Sequence, residues 1–191
     1  MVDTHSEKDQ IESMKFFLIG FMGAGKTTVG KYAARANGLT FLDLDKYLEM
    51  RVGMPIPEIF HRHGEDWFRA KEREMLQEVI ALQDEDYLVS TGGGTPCFFD
   101  NVELMNQSGK TIYLDLSASR LTDRLRHSKT KRPLITNLSG DLQVFVHKKL
   151  MERAEFYAQA QIILPEEKTG KKEVSEVIRK LMDGGSLSGP G

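Results

Sequence analysis

Residues 15–30 read Lys15-Phe16-Phe17-Leu18-Ile19-Gly20-Phe21-Met22-Gly23-Ala24-Gly25-Lys26-Thr27-Thr28-Val29-Gly30, and this stretch decides the fold. The apolar run from Phe16 to Ala24 falls far short of the roughly 18 residues a membrane helix needs. With Gly25-Lys26-Thr27-Thr28 following at once, it reads as a buried strand entering a loop. Gly20, Gly25, Lys26 and Thr27 satisfy G-x-x-x-x-G-K-[ST] at every specified position. Helical spacing follows over 26–37 and stops at Gly38, a residue suited to a left-handed cap. A strand, a glycine loop and a helix N-terminus in succession let backbone N–H groups surround a phosphate. The plainer alternative is a glycine-rich turn between a strand and a helix, with a solvated lysine. Gly23, Ala24, Gly25, Lys26, Thr27 and Thr28 are therefore candidate nucleotide contacts, with Lys26 a point charge for terminal phosphates and the Thr27 hydroxyl a ligand for Mg²⁺.

Outward from this loop, short apolar runs at 15–20, 40–44, 87–90, 111–116 and 161–164 alternate with stretches of helical spacing. That alternation predicts an α/β three-layer sandwich, a five-stranded parallel sheet wrapped by helices in the manner of P-loop nucleoside triphosphate hydrolases. Further helices are expected from Pro57 to about His63, over 65–82, over 118–126 under a Ser117 cap, from Asp141 to about Gln159, and over 173–182.

The second run ends Phe41-Leu42-Asp43-Leu44-Asp45, and strand alternation would put Asp43 and Asp45 on one face. Both would emerge at the carboxyl end of the sheet, outside which ligands bind. One carboxylate could serve a metal, directly or through water, and the other a substrate hydroxyl; solvated turn residues with a capping role are the alternative. Ser90-Thr91-Gly92-Gly93-Gly94 directly follows the third run. Consecutive glycines are entropically unfavourable, which argues for close approach to a ligand over a plain turn. Arg69, Arg132 and Arg153 each stand beside aromatic or Pro neighbours. Singly each reads as a surface arginine; together they suggest an anionic second substrate, because a guanidinium pairs with a carboxylate bidentately.

The chain has 191 residues, with 26 Lys or Arg against 28 Asp or Glu for a net charge of −2 and 40% hydrophobic residues. That balance argues against a nucleic-acid binder and against a charge-rich disordered chain. The acidic start, with Asp3, Glu7, Asp9 and Glu12, does not resemble a secretory signal, so no membrane partner is expected. Cys97 is the one cysteine, which excludes an internal disulfide and a cysteine zinc cluster and makes a reducing, cytoplasmic compartment the expectation. The organisation expected is a tail over 1–13, one domain over 14–183 and a Gly/Ser-rich tail over 184–191. The polar stretch over 127–131, followed by Arg132-Pro133, reads as a mobile loop.

In order and spacing, the phosphate loop with Thr27-Thr28-x-Gly30, the Leu42–Asp45 segment, Ile56-Pro57-Glu58-Ile59-Phe60 through Glu72, the Gly92–Gly94 run, Lys131-Arg132-Pro133-Leu134-Ile135 and Met151-Glu152-Arg153-Ala154-Glu155-Phe156-Tyr157 resemble the shikimate kinase family. The resemblance covers about 15–182 and implies an ATP-dependent, magnesium-requiring phosphorylation of the 3-hydroxyl of shikimate, a step of aromatic amino-acid biosynthesis, by a cytoplasmic monomer. It implies that Lys26 and Thr27 serve the nucleotide and Mg²⁺, that Asp43 helps organise the metal, and that Asp45 meets the shikimate hydroxyls as the candidate base. Arg69 and Arg153 would grip the substrate carboxylate, Gly92, Gly93 and Gly94 would line the same site, and Phe60 and Phe68 would form its apolar walls. Glu72 would steady Arg69. Arg132 would belong to a lid over about 127–138 that closes over the ATP phosphates. The arginine expected beside adenine is Arg124 or Arg126, since a one-residue offset from the family's spacing leaves both open. Thr95-Pro96-Cys97 departs from the family's usual sequence, outside the residues expected to touch substrate. The rivals are another small phosphate-loop kinase, acting on gluconate or a nucleoside monophosphate, and a catalytically silent ATP-binding module.

Overall fold

β1 (Lys15–Ile19) is buried along its whole length, which is why its Phe16-Phe17-Leu18-Ile19 run shows no polar alternation. It is the centre of a five-stranded sheet in the order β2-β3-β1-β4-β5, with β2 spanning Thr40–Asp43, β3 Tyr87–Ser90, β4 Lys110–Leu114 and β5 Ile162–Leu164. Every pairing is parallel; Phe17 stands between Val89 of β3 and Thr111 of β4. This computed structural model describes residues 13–128 and 140–185. The expected α/β fold with a five-stranded parallel sheet is borne out, and the strand starts and ends agree with the sequence reading to within two residues. All but the start of the expected lid, including Arg132, lies outside the described residues, as do most of both expected tails.

Seven helices among the described residues cover the sheet: α1 (Lys26–Asn37), α2 (Leu44–Val52), α3 (Ile56–Ala81), α4 (Asn101–Ser108), α5 (Ala118–Arg126), α6 (Leu142–Tyr157) and α7 (Lys171–Met182). Short 3₁₀ turns stand at Thr95–Cys97 and Glu166–Lys168. Several boundaries follow from local chemistry. Gly38 closes α1 at φ 71°, Ser117 Oγ accepts from Arg120 N at the start of α5, and the Asp141 carboxylate accepts from Gln143 N and Val144 N at the start of α6. The two helices expected over 57–63 and 65–82 both form as the two halves of α3, separated at Gly64, whose backbone (φ 82°, ψ 177°) is not helical. That backbone conformation is open essentially to glycine alone.

One expectation needs correcting. β2 stops at Asp43, and Asp45 lies in the first turn of α2, so the two carboxylates do not share a strand face. Asp43 ends the strand because its side chain caps the helix, Oδ1 accepting from Lys46 N at 3.3 Å. Asp45, within that first turn, is placed near the positive end of the helix. No helix among the described residues is long and apolar enough to cross a membrane.

The strand order reverses direction at β1, whose neighbours β3 and β4 lie on opposite sides. The loops that leave the carboxyl ends of β1 and β3 therefore open beside one another, at the switch point where open parallel sheets bind ligands.

Candidate active site

The loop between β1 and α1 is built around Gly25, which caps α1 at φ 95° without a side-chain bond of its own. A left-handed residue there turns the chain so that the first N–H groups of α1 point out of the helix end. Lys26 is buried and folds back over the loop, its Nζ donating to the carbonyls of Gly20 at 2.6 Å and Phe21 at 3.1 Å. Thr27 Oγ1 donates to Asp43 Oδ2 at 2.8 Å, so a hydroxyl of α1 meets the carboxylate that ends β2. These two hard oxygen donors suit Mg²⁺. Arg124 of α5 reaches the same loop, Nη1 donating to Ala24 O at 2.8 Å and Gly23 O at 3.4 Å. Arg126 turns outward toward Asp123, 3.9 Å away. Of the two arginines left open by the sequence, Arg124 is the one at the phosphate loop.

On the far side of the cleft, Arg69 of α3 is buried and held by two carboxylates. Its Nη1 donates to Glu72 Oε2 at 2.8 Å, and its Nε and Nη2 donate to Glu65 Oε1 at 3.2 and 3.0 Å. Its Cζ also lies 4.0 Å from the ring centre of Phe98 and 5.0 Å from that of Phe68. Arg153 of α6 donates from Nη1 to Gly93 O at 3.2 Å and lies over Phe21 at 5.4 Å. Tyr157 OH donates to the same carbonyl at 2.6 Å. Phe60 and Phe68 form an aromatic pair with centroids 4.6 Å apart.

The glycine triplet explains how these groups come so close. A β-carbon on Gly92 would lie 2.9 Å from both Asp45 Oδ1 and Glu72 Oε1, one on Gly93 would lie 3.0 Å from Met22 N, and one on Gly94 would lie 2.8 Å from Arg69 Nη2. The triplet is thus the floor on which the phosphate loop, Asp45 and Arg69 converge. Burial pushes the Asp45 carboxyl up to about 6, reinforced by Glu72 and Asp43 and opposed by Lys26. Lys26, Thr27, Asp45, Arg69, Arg124 and Arg153 all line one cleft of about 780 Å³.

No site role is legible in the sequence for Glu65, Phe98 or Tyr157, and Thr95 is expected there only as lying outside the residues that touch substrate. Glu65 stands four residues before Arg69 on the same helix, a spacing that signals an ion pair. The other three act across long sequence separations and left no local signal. Cys97 is partly buried, and burial raises its thiol to about 11, so it is no nucleophile at neutral pH.

Residues 22–183 match the family model described as Shikimate kinase. A shikimate kinase of Parabacteroides distasonis is 46% identical over 170 residues, which cover 88% of this chain and 97% of that protein. The crystal structure of shikimate kinase from Bacteroides thetaiotaomicron has a TM-score of 0.81 at 40% identity, covering 89% of this chain and 98% of that one. Shikimate kinase from Acinetobacter baumannii, solved in complex with shikimate, has a TM-score of 0.80 at 30% identity, covering 92% of this chain and 96% of that one.

Proposed function

The chain belongs to the shikimate kinase family, and from that premise we propose how its own residues divide the work of transferring the γ-phosphoryl group of ATP to the 3-hydroxyl of shikimate. Two groups of contacts meet in one cleft. Gly23, Gly25, Lys26, Thr27, Thr28 and Arg124, with Ala24 buried in the same loop, take the nucleotide, and Asp45, Phe60, Phe68, Arg69, Gly92, Gly93, Gly94 and Arg153 take shikimate. The observation that carries this reading is that Arg69 and Arg153 flank the glycine floor on which Asp45 also rests. Two guanidinium groups for a carboxylate and one carboxylate for a hydroxyl match the two ends of that substrate.

Phosphoryl transfer has a loose transition state, so alignment and charge carry most of the catalysis. Asp45 accepts the proton of the attacking hydroxyl as its oxygen bonds to phosphorus and the bond from phosphorus to the leaving oxygen of ADP breaks. Lys26, with Arg132 from a lid over about 127–138, offsets the charge on the phosphoryl oxygens. Thr27 and Asp43 hold Mg²⁺, which supplies further charge neutralisation when bound. Lid closure excludes water that would otherwise hydrolyse ATP. The domain spans 14–183 between short tails, and we take it to act as a monomer in the cytoplasm.

The test is release of ADP from ATP with shikimate, gluconate, quinate or nucleoside monophosphates in parallel, with and without Mg²⁺. Turnover with shikimate that requires Mg²⁺ is expected. Activity confined to another acceptor would overturn the substrate, and activity unaffected by chelation would overturn the metal.

A further inference from the structure

The segment Thr95-Pro96-Cys97-Phe98 follows the glycine floor and forms a short 3₁₀ turn that the proposed mechanism leaves without a role. Thr95 is fully buried, and its Oγ1 donates to Glu72 Oε1 at 2.5 Å. Glu72 is itself buried and spends its other oxygen on Arg69 Nη1. The hydroxyl of Thr95 thus completes a chain of charge-assisted hydrogen bonds that ends on the guanidinium offered to the substrate carboxylate.

The turn is held from behind with equal care. Asn101, fully buried, donates from Nδ2 to Thr95 O at 2.8 Å and accepts from Arg73 Nη1 at 2.7 Å. Arg73 is anchored in turn by Asp100 at 2.7 Å. Thr95 N donates to Gly92 O and Cys97 N to Gly94 O, which ties the turn to the glycine floor. Phe98, at the end of the turn, lies against the face of the Arg69 guanidinium.

We propose that Thr95 is a positioning residue for the acceptor side of the site: its hydroxyl holds the Glu72 carboxylate so that Glu72 in turn holds Arg69. The inference rests on the shikimate reading above. Removing the hydroxyl leaves Glu72 Oε1 buried and short of a donor, and an unsatisfied buried carboxylate oxygen is costly. Glu72 then rotates toward another donor and takes Oε2 off Arg69.

The experiment compares wild type, Thr95→Val and Thr95→Ser with shikimate and with its carboxamide analogue, which lacks the anionic partner of Arg69. Wild-type turnover of shikimate is measured first; if it is absent, the substrate reading fails and not the positioning role. Given turnover, Thr95→Val is expected to raise KM for shikimate about tenfold, the scale of one charge-assisted hydrogen bond, with KM for ATP unchanged. The penalty should shrink toward onefold with the carboxamide, and Thr95→Ser should restore the wild-type value. An unchanged KM for shikimate, a parallel rise in KM for ATP, an equal loss with the carboxamide, or no rescue by Ser overturns the proposal. Should Thr95→Val not fold, Thr95→Cys, of similar size and a far weaker donor, takes its place in the same comparison.

Discussion

Asp45 and Glu72 converge on the open side of Gly92, Oδ1 of the first and Oε1 of the second each 2.9 Å from where a β-carbon on that glycine would stand. Only a residue without a side chain lets two carboxylates from different helices share this space. Gly92→Ala must therefore displace one or both. The expected result is a loss of about 10²-fold in kcat/KM for shikimate, the order of effect that a misplacement near 1 Å produces, with ATP affinity unchanged. Alanine tolerated with full activity would show that neither carboxylate needs its present position.

The raised Asp45 carboxyl predicts an acid limb in the pH profile of activity. If Asp45 accepts the hydroxyl proton, the protonated form is inactive, and it dominates below about 6. kcat/KM for shikimate should then fall about tenfold per pH unit below that point, since this ratio reports groups of the free enzyme. Asp45→Asn should remove the limb together with most shikimate-dependent ADP release while keeping ATP binding. A variant with near-normal turnover would sink the assignment.

The same shift makes a stability prediction with a definite sign. Between 3.8, the ordinary value, and about 6, the folded protein binds more protons at Asp45 than the unfolded chain does. Stability drawn from this residue therefore declines as pH rises through that window and is gone above it. Asp45→Asn carries no buried charge, so at pH 8 the unliganded variant should be more stable than wild type by about 3 kcal/mol. The gap should close as the pH is lowered toward 4. Thermal melts across that range check it; a gap that is constant with pH, or of opposite sign, counts against burial as the cause.

Arg69→Ala and Arg153→Ala each remove one proposed partner of the substrate carboxylate. Each is expected to raise KM for shikimate by roughly 10- to 100-fold, the worth of a hydrogen bond between charged groups, with a much smaller change in KM for ATP. Arg69→Ala should also lower Tm, because Glu72 is left buried without its cation. Unchanged shikimate kinetics in both variants would place the carboxylate elsewhere.

Arg124 and Arg126 offer a contrast within one helical turn. Arg124→Ala loses contacts to the carbonyls of Gly23 and Ala24 and should raise KM for ATP about tenfold. Arg126→Ala breaks, among the described residues, an exposed pair with Asp123 and should be near neutral. Isothermal titration with a nonhydrolysable ATP analogue separates the two.

What could be read from the sequence is what contiguous residues settle among themselves. The phosphate loop is a spacing of Gly20, Gly25, Lys26 and Thr27, and the strand before it is a run of apolar residues that must be buried. Gly38, Ser117 and Asp141 end or begin helices through bonds within a few residues of themselves. The five parallel strands follow from alternation with helices, since parallel neighbours require crossovers. Asp45 shows where this kind of reading stops. Its residue type and its place after β2 were legible, but strand periodicity gave the wrong geometry, because capping by Asp43 begins a helix one residue earlier than alternation assumes. The choice of Arg124 over Arg126, the hold of Thr95 on Glu72, and the crowding above Gly92 belong to the tertiary structure alone. Each depends on segments about 20 to 100 residues apart, as with Thr95 and Glu72 or Arg124 and Ala24, and these meet only when the crossovers bring the ends of β1, β2 and β3 together.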